Sequence, residues 1–224
     1  MNNRPVGLAA AFTMAVIGCV PSTPGELGAG SFTYECEQEG YDPACADSFS
    51  NQHTVPAKVA VEAPFEVTFY ATSGSDEPGT ASVVAASGEM ISGSNARFTF
   101  VKPGFGAILA RESSGTIIDF LHIQALPVDH LGLRAGGKDV SDTLQMDVGD
   151  SLLVTAEPED AQGAILSGAL EYTWSATEDI VSLDVQDYSP NQVELVANAE
   201  GTVQVTVSAA GRAQTIQLVI GGQP

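Results

Sequence analysis

The chain has 224 residues and carries 8 Lys and Arg against 28 Asp and Glu, a formal charge of −20. Nucleic-acid binding rests on cationic neutralisation of phosphate, so a chain this acidic is expected to have no nucleic-acid partner. Solubility is the first consequence of such charge. Binding of divalent cations is the second.

The N-terminus, MNNRP, is followed by VGLAAAFTMAVI, an uncharged apolar run over residues 6–17. A membrane-spanning helix needs about 20 such residues, whereas the apolar region of a secretory signal has ~7–15. The run ends in Val16-Ile17-Gly18-Cys19, which resembles the lipobox of bacterial lipoproteins. The resemblance implies cleavage of residues 1–18 as a signal peptide and acylation (palmitate among the chains) of Cys19. The membrane is then a partner through the lipid anchor at Cys19. Val20, where Asp would mark the inner membrane, implies the outer membrane of the cell envelope. Stable anchoring needs at least two lipid chains. VPSTPGELGAG then reads as a tether, Pro giving extension and Gly and Ser freedom.

Two further cysteines stand in CEQEGYDPAC, at Cys36 and Cys45. An oxidising compartment turns such a pair into a disulfide. A metal site would call for closer pairs and more ligands. Residues 19–50 are therefore expected to be a lipid-anchored tether with a disulfide loop.

From Thr54 onward, alternation of apolar and polar residues predicts half-buried strands. Leu144, Met146 and Val148 share one face, as do Leu152, Val154 and Ala156. Tyr172 with Trp174, and Val181 with Leu183 and Val185, continue the pattern. Val193, Leu195 and Ala197, then Val203, Val205 and Val207, complete it. An echo at an offset of 95 residues lays FTFVKPGFGAILA over VELVANAEGTVQV, with Phe98 on Val193, Phe100 on Leu195, Gly106 on Gly201 and Ile108 on Val203. That interval is one immunoglobulin-sized sandwich of ~100 residues. The chain is thus predicted to be all-β, with two tandem Ig-like β-sandwiches over residues 51–127 and 128–224, meeting at LPVDHLGL.

In the second half, LQMDVGDSLLVTAEPEDAQG, YTWSATEDIVSLD and VELVANAEGTVQVTVSA resemble a bacterial Ig-like domain of group 2 (BIG2-like). Asn191-Gln192 stands where the family usually has a small residue, and the first half has no Trp at the corresponding strand. The resemblance implies a stalk, spacer or adhesive unit of a bacterial surface, without catalysis.

No catalytic constellation is legible. His53, His122 and His130 are not at metal-ligand spacing, and no GxSxG elbow occurs. GLRAGGKD has phosphate-loop spacing, but Asp139 replaces the Ser or Thr that the metal needs, and strands rather than a helix surround it. It reads as a turn. The acidic stretch EPED offers Glu157, Glu159 and Asp160 as calcium candidates, although without DxDxDG order. The expectation is a non-enzymatic, lipid-anchored envelope protein without cofactor, acting as spacer or binding module toward envelope proteins or surface glycans. The alternative is a calcium-dependent adhesin or glycan binder, with Tyr41, Tyr70 or Tyr188 offered to a sugar.

Overall fold

A computed structural model describes residues 22–36, 41–45, 52–72, 81–94, 96–140 and 142–221. Cys19 and the signal segment lie outside the described residues. The fold is all-β, and among the described residues no helix is long and apolar enough to cross a membrane.

The first sandwich contains β1 (Thr23–Pro24), β2 (Gly30–Glu35), β3 (Gln52–His53), β4 (Lys58–Ala60), β5 (Pro64–Ala71), β6 (Ser82–Ala85), β7 (Ile91–Ser94), β8 (Arg97–Phe100), β9 (Gly104–Arg111) and β10 (Ile117–Leu126). One sheet runs β1-β2-β5-β8-β7, with β3 also on β2; the other runs β4-β10-β9-β6. Alternation sets the faces: Phe65, Val67 and Phe69 of β5 are buried while Tyr70 is 46% exposed. The core is aromatic, with Phe69 4.8 Å from Phe32, and Phe65 packed between Phe100 at 5.9 Å and Phe98 at 6.0 Å.

The second sandwich contains β11 (His130–Ala135), β12 (Lys138–Asp139), β13 (Thr143–Asp147), β14 (Ser151–Glu159), β15 (Thr173–Ala176), β16 (Val181–Gln186), β17 (Ser189–Ala197), β18 (Gly201–Ala209) and β19 (Arg212–Gly221). Its sheets run β12-β11-β14-β17-β16 and β13-β19-β18-β15. Strand for strand this repeats β2-β5-β8-β7 and β4-β10-β9-β6, including a parallel pairing of β4 with β10 and of β13 with β19. The 95-residue echo therefore places β8 over β17 and β9 over β18, strands in equivalent slots. Aliphatic side chains fill this core: Val154, Val193, Leu195, Val203, Val205, Ile216 and Leu218 are at most 1% exposed. Trp174 is half-buried against it, and its indole N–H donates to the Pro190 carbonyl at 2.9 Å.

Three expectations need correction. The first sandwich begins well before residue 51: β2 lies in the supposed tether, yet it pairs with β5 over six residues, Gly30 with Ala71 through to Glu35 with Glu66. Even Thr23 and Pro24 pair with Phe32 and Ser31. Val185 does not join Val181 and Leu183 inside: it pairs with Val193 in the same register, but near the end of the edge strand β16 it is 39% exposed. Tyr41, proposed as a surface aromatic, is buried. The GLRAGGKD segment forms the β11–β12 hairpin, with Gly136 and Gly137 at φ of 56° and 76°. Positive φ at both central positions is the geometry of a type I′ turn.

Candidate functional site

The densest set of polar ties joins the two sandwiches. Between β14 and β15 the chain makes a turn at Asp160 and then runs without a regular strand through residues 164–171, which form a tongue. Leu166, Ser167 and Leu170 of this tongue are buried. Two parts of the first sandwich grip it from different sides.

The first grip is β4 and the turn after it. Ala60 N–H donates to the Ser167 carbonyl at 2.7 Å, and Ala169 N–H to the Pro64 carbonyl at 2.8 Å. Gly168 lies so close to Ala63 that an added Cβ would stand 2.6 Å from the Ala63 methyl. Its φ of 113° is open only to glycine. Ala60 and Ala63 belong to the apolar cluster of the second sandwich, so that core extends across the seam.

The second grip is the loop closed by the Cys36–Cys45 disulfide, whose Cα atoms are 5.7 Å apart. Tyr41 and Leu170 exchange backbone hydrogen bonds at 3.2 and 3.1 Å, and the Tyr41 ring meets Tyr172 edge-on at 6.2 Å. Asp42 accepts hydrogen bonds from the Tyr34 hydroxyl, from the Ala44 N–H at 2.9 Å and from the Gly168 N–H. Burial pushes the Asp42 carboxyl above its ordinary range, although these donors and the charge of His53 oppose the shift. Burial likewise pushes the Tyr172 phenol above its usual range. The two sulfurs and a ring nitrogen of His53 lie within 4.8 Å of one another. With the sulfurs bonded to each other, no thiolate is present to ligate a metal.

The three acids proposed for calcium have different partners. Glu157 pairs with Arg134 at 2.8 Å, Glu159 with His130 at 3.0 Å, and Asp160 with Lys58 at 2.7 Å. Among the described residues they do not form a group of converging metal ligands. Asp160 also accepts the Gln162 and Ala164 N–H groups at 2.9 Å each, which shapes the turn. The Lys58 hydrogen bond, followed by that of Ala164, holds its carboxyl down at about 2. An open cleft of about 690 Å³ lies beside the disulfide loop, lined by Tyr41, Pro43, Arg134, Leu153, Glu157 and Gln192 among others.

Of the remaining aromatics, Tyr188 is 97% exposed. His122 pairs with Glu26 at 2.7 Å, within the first sandwich. Sequence reasoning missed Asp42 as an anchor, and it missed Asp119. Asp119 is fully buried on β10 and accepts the N–H groups of Leu27, Ala29 and Gly30 at 2.8, 2.8 and 3.1 Å. A signal existed: Asp119 stands in phase with Leu121, Ile123 and Ala125, the buried face of its strand. A carboxylate there must find donors.

No protein-family model matches the chain, and no curated protein matches it. Among solved structures, domains 4 and 5 of the S-layer protein SbsC superpose with a TM-score of 0.36 at 14% identity, over 88% of this chain and 91% of that one. The chain spans only 27% of a longer SbsC structure. The Yersinia pseudotuberculosis adhesin InvE gives 0.34 at 10% identity, over 74% of this chain and 57% of that one. A glycosyl hydrolase family 2 member from Bacteroides cellulosilyticus gives 0.34 at 10% identity, over 85% of this chain and 28% of that one. Scores of this size carry no inference about binding, catalysis or location.

Proposed function

We propose that the chain is a non-enzymatic protein of the cell envelope, lipid-anchored at Cys19, whose paired Ig-like sandwiches act as a spacer that holds a binding surface away from the membrane. The observation that carries the spacer reading is the gripped tongue. Backbone hydrogen bonds from two separate segments of the first sandwich hold residues 167–170 of the second. A flexible string of domains needs no such ties, because inter-domain motion is the default where the interface is small. The acidic groups support the non-enzymatic reading: Glu157 and Glu159 are engaged by Arg134 and His130 between β14 and β11 of the second sandwich, and Asp160 by Lys58 across the junction.

The anchor rests on the VIGC motif and the short apolar run before it. Outer-membrane placement rests on Val20 alone. Partners are envelope proteins or surface glycans met at the far end of the spacer.

Fractionation of cells tests the anchor. Cys19→Ser should move the protein out of the membrane fraction and leave the precursor uncut. Processed Cys19→Ser protein that still sediments with membranes would overturn the anchor. Crosslinking in intact cells tests the spacer reading, which predicts envelope macromolecules as neighbours.

A further inference from the structure

We infer that the Cys36–Cys45 disulfide is the lock of the junction: it holds residues 41–45 against the tongue, and its reduction frees the two sandwiches to move relative to one another. The inference deepens the spacer reading and rests on it for its biological sense.

Residues 41–45 have little structure of their own to hold them in place. Their regular element is one 3₁₀ turn, Pro43–Cys45. Cys36 directly follows β2, whose six residues pair with β5, so the disulfide fastens the loop to the body of the first sandwich. The loop also reaches that body through the Tyr34 hydroxyl on Asp42. In the other direction it holds the tongue three times: the paired hydrogen bonds of Tyr41 with Leu170, the Asp42 carboxylate on the Gly168 N–H, and the Tyr41 ring on Tyr172. Among the described residues, the disulfide and the Tyr34–Asp42 hydrogen bond tie this loop to β2, and Ala44 and Cys45 pack against the core of the first sandwich.

The other grip has different chemistry. The turn after β4 is continuous with β4 and β5 and has no disulfide. Its ties are the Ala60–Ser167, Ser167–Lys58 and Ala169–Pro64 backbone hydrogen bonds, the packing of Ala60 and Ala63 into the second core, and the Lys58–Asp160 pair. Lys58 is 36% exposed, and an ion pair open to solvent on one side contributes little. Opening the loop thus leaves the β4 grip alone to join the sandwiches beside the connection at residues 127–129.

Both cysteines are only half-buried, so a small dithiol can reach them. In that exchange the dithiol is oxidised to its cyclic disulfide, the Cys36–Cys45 bond breaks, and each sulfur takes up one hydrogen.

Amide hydrogen exchange on the full chain, before and after dithiothreitol, tests the lock. The Leu170 and Gly168 amides, which donate to Tyr41 and Asp42, should exchange roughly tenfold faster or more after reduction. The Leu166 amide, bonded to Pro158 within the second sandwich, should not change. Residual dipolar couplings should fit one alignment tensor for both sandwiches in the oxidised chain and two in the reduced chain. Unchanged Leu170 and Gly168 exchange after complete reduction, or one shared tensor in both states, overturns the inference. That result leaves the spacer reading intact, because the spacer would then be rigid through the β4 grip alone.

The Val67 amide, bonded to Ala96 in the first sandwich, reports whether reduction melts that sandwich. If it also loses protection, the oxidised Tyr41→Pro variant decides, since it lacks the N–H that bonds Leu170 while keeping the disulfide. Two tensors in that variant support the lock, and one tensor overturns it.

Discussion

Replacing Asp119 by alanine tests how the N-terminal hairpin is built into the first sandwich. The carboxylate lies on β10 of one sheet and collects three N–H groups from the turn between β1 and β2, which belong to the other sheet. Its place between sheets depends on Gly25, where an added Cβ would stand 2.2 Å from the carboxylate. Removing the acceptor affects the donors unequally. Leu27 is 60% exposed, so its N–H regains water, whereas Gly30 is buried and its N–H is left without a partner. A hydrogen bond to a charged group contributes ~1.5–3 kcal/mol net, and an orphaned buried donor costs about as much. With Gly30 and Ala29 counted fully and Leu27 discounted, Asp119→Ala should destabilise the first sandwich by about 3–5 kcal/mol. Asp119→Asn keeps one carbonyl oxygen and turns an NH₂ toward the remaining donors, so it should fall between, at about 1–2 kcal/mol. Equilibrium urea unfolding read by circular dichroism follows both sandwiches, while fluorescence of Trp174, the only tryptophan, follows the second. The dichroism midpoint should fall, with the fluorescence midpoint moving less. An alanine variant within about 1 kcal/mol of the parent would refute the reasoning, because exposed donors satisfied by water would then account for the whole set.

Asp160 has its carboxyl depressed to about 2 from an ordinary 3.8, so its contribution to stability is present above about pH 4 and lost as pH falls through about 2. Lys58→Met should flatten that limb of the melting temperature against pH. Asp42, shifted upward, acts in the opposite sense, so the comparison is between variant and parent at each pH. Gly168→Ala forces a Cβ onto Ala63 at a φ of 113°, and should cost ~1–3 kcal/mol of strain and lower the melting temperature of the intact chain. Trp174→Phe keeps most of the packing but leaves the Pro190 carbonyl without its donor, and should cost about 1 kcal/mol in a urea titration followed by circular dichroism.

Much of the second sandwich was legible because one face of each strand is buried and the other wet. β17 and β18 alternate cleanly, with Val193, Leu195, Ala197, Val203, Val205 and Val207 all inside. A period of two is what such strands must write into sequence. Local chemistry was legible as well: Gly136-Gly137 specified its hairpin, and the two cysteines after Cys19 form one disulfide. β2 was not legible. Phe32, Thr33 and Tyr34 are all fully buried, so both faces are covered and the alternation that marks a strand is lost. Its partner in the sheet begins 29 residues after it ends, a pairing that only chain folding establishes. Val185 shows the converse, since the alternation was correct but the residue, near the end of the edge strand β16, is 39% exposed. The junction depends on tertiary structure most of all. EPED reads as loose charge along the chain, and its acids acquire their roles from His130, Arg134 and Lys58 on other strands. Residues 164–171 carry no periodic pattern because their burial is set by Ala63, Tyr41 and Asp42, more than a hundred residues earlier. The sequence by itself determined strands, turns and a disulfide, since each follows from neighbours along the chain. Only the tertiary structure decided which partners the carboxylates meet: pairing of β11 with β14 brings Arg134 and His130 to Glu157 and Glu159, and the meeting of the two sandwiches brings Lys58 to Asp160.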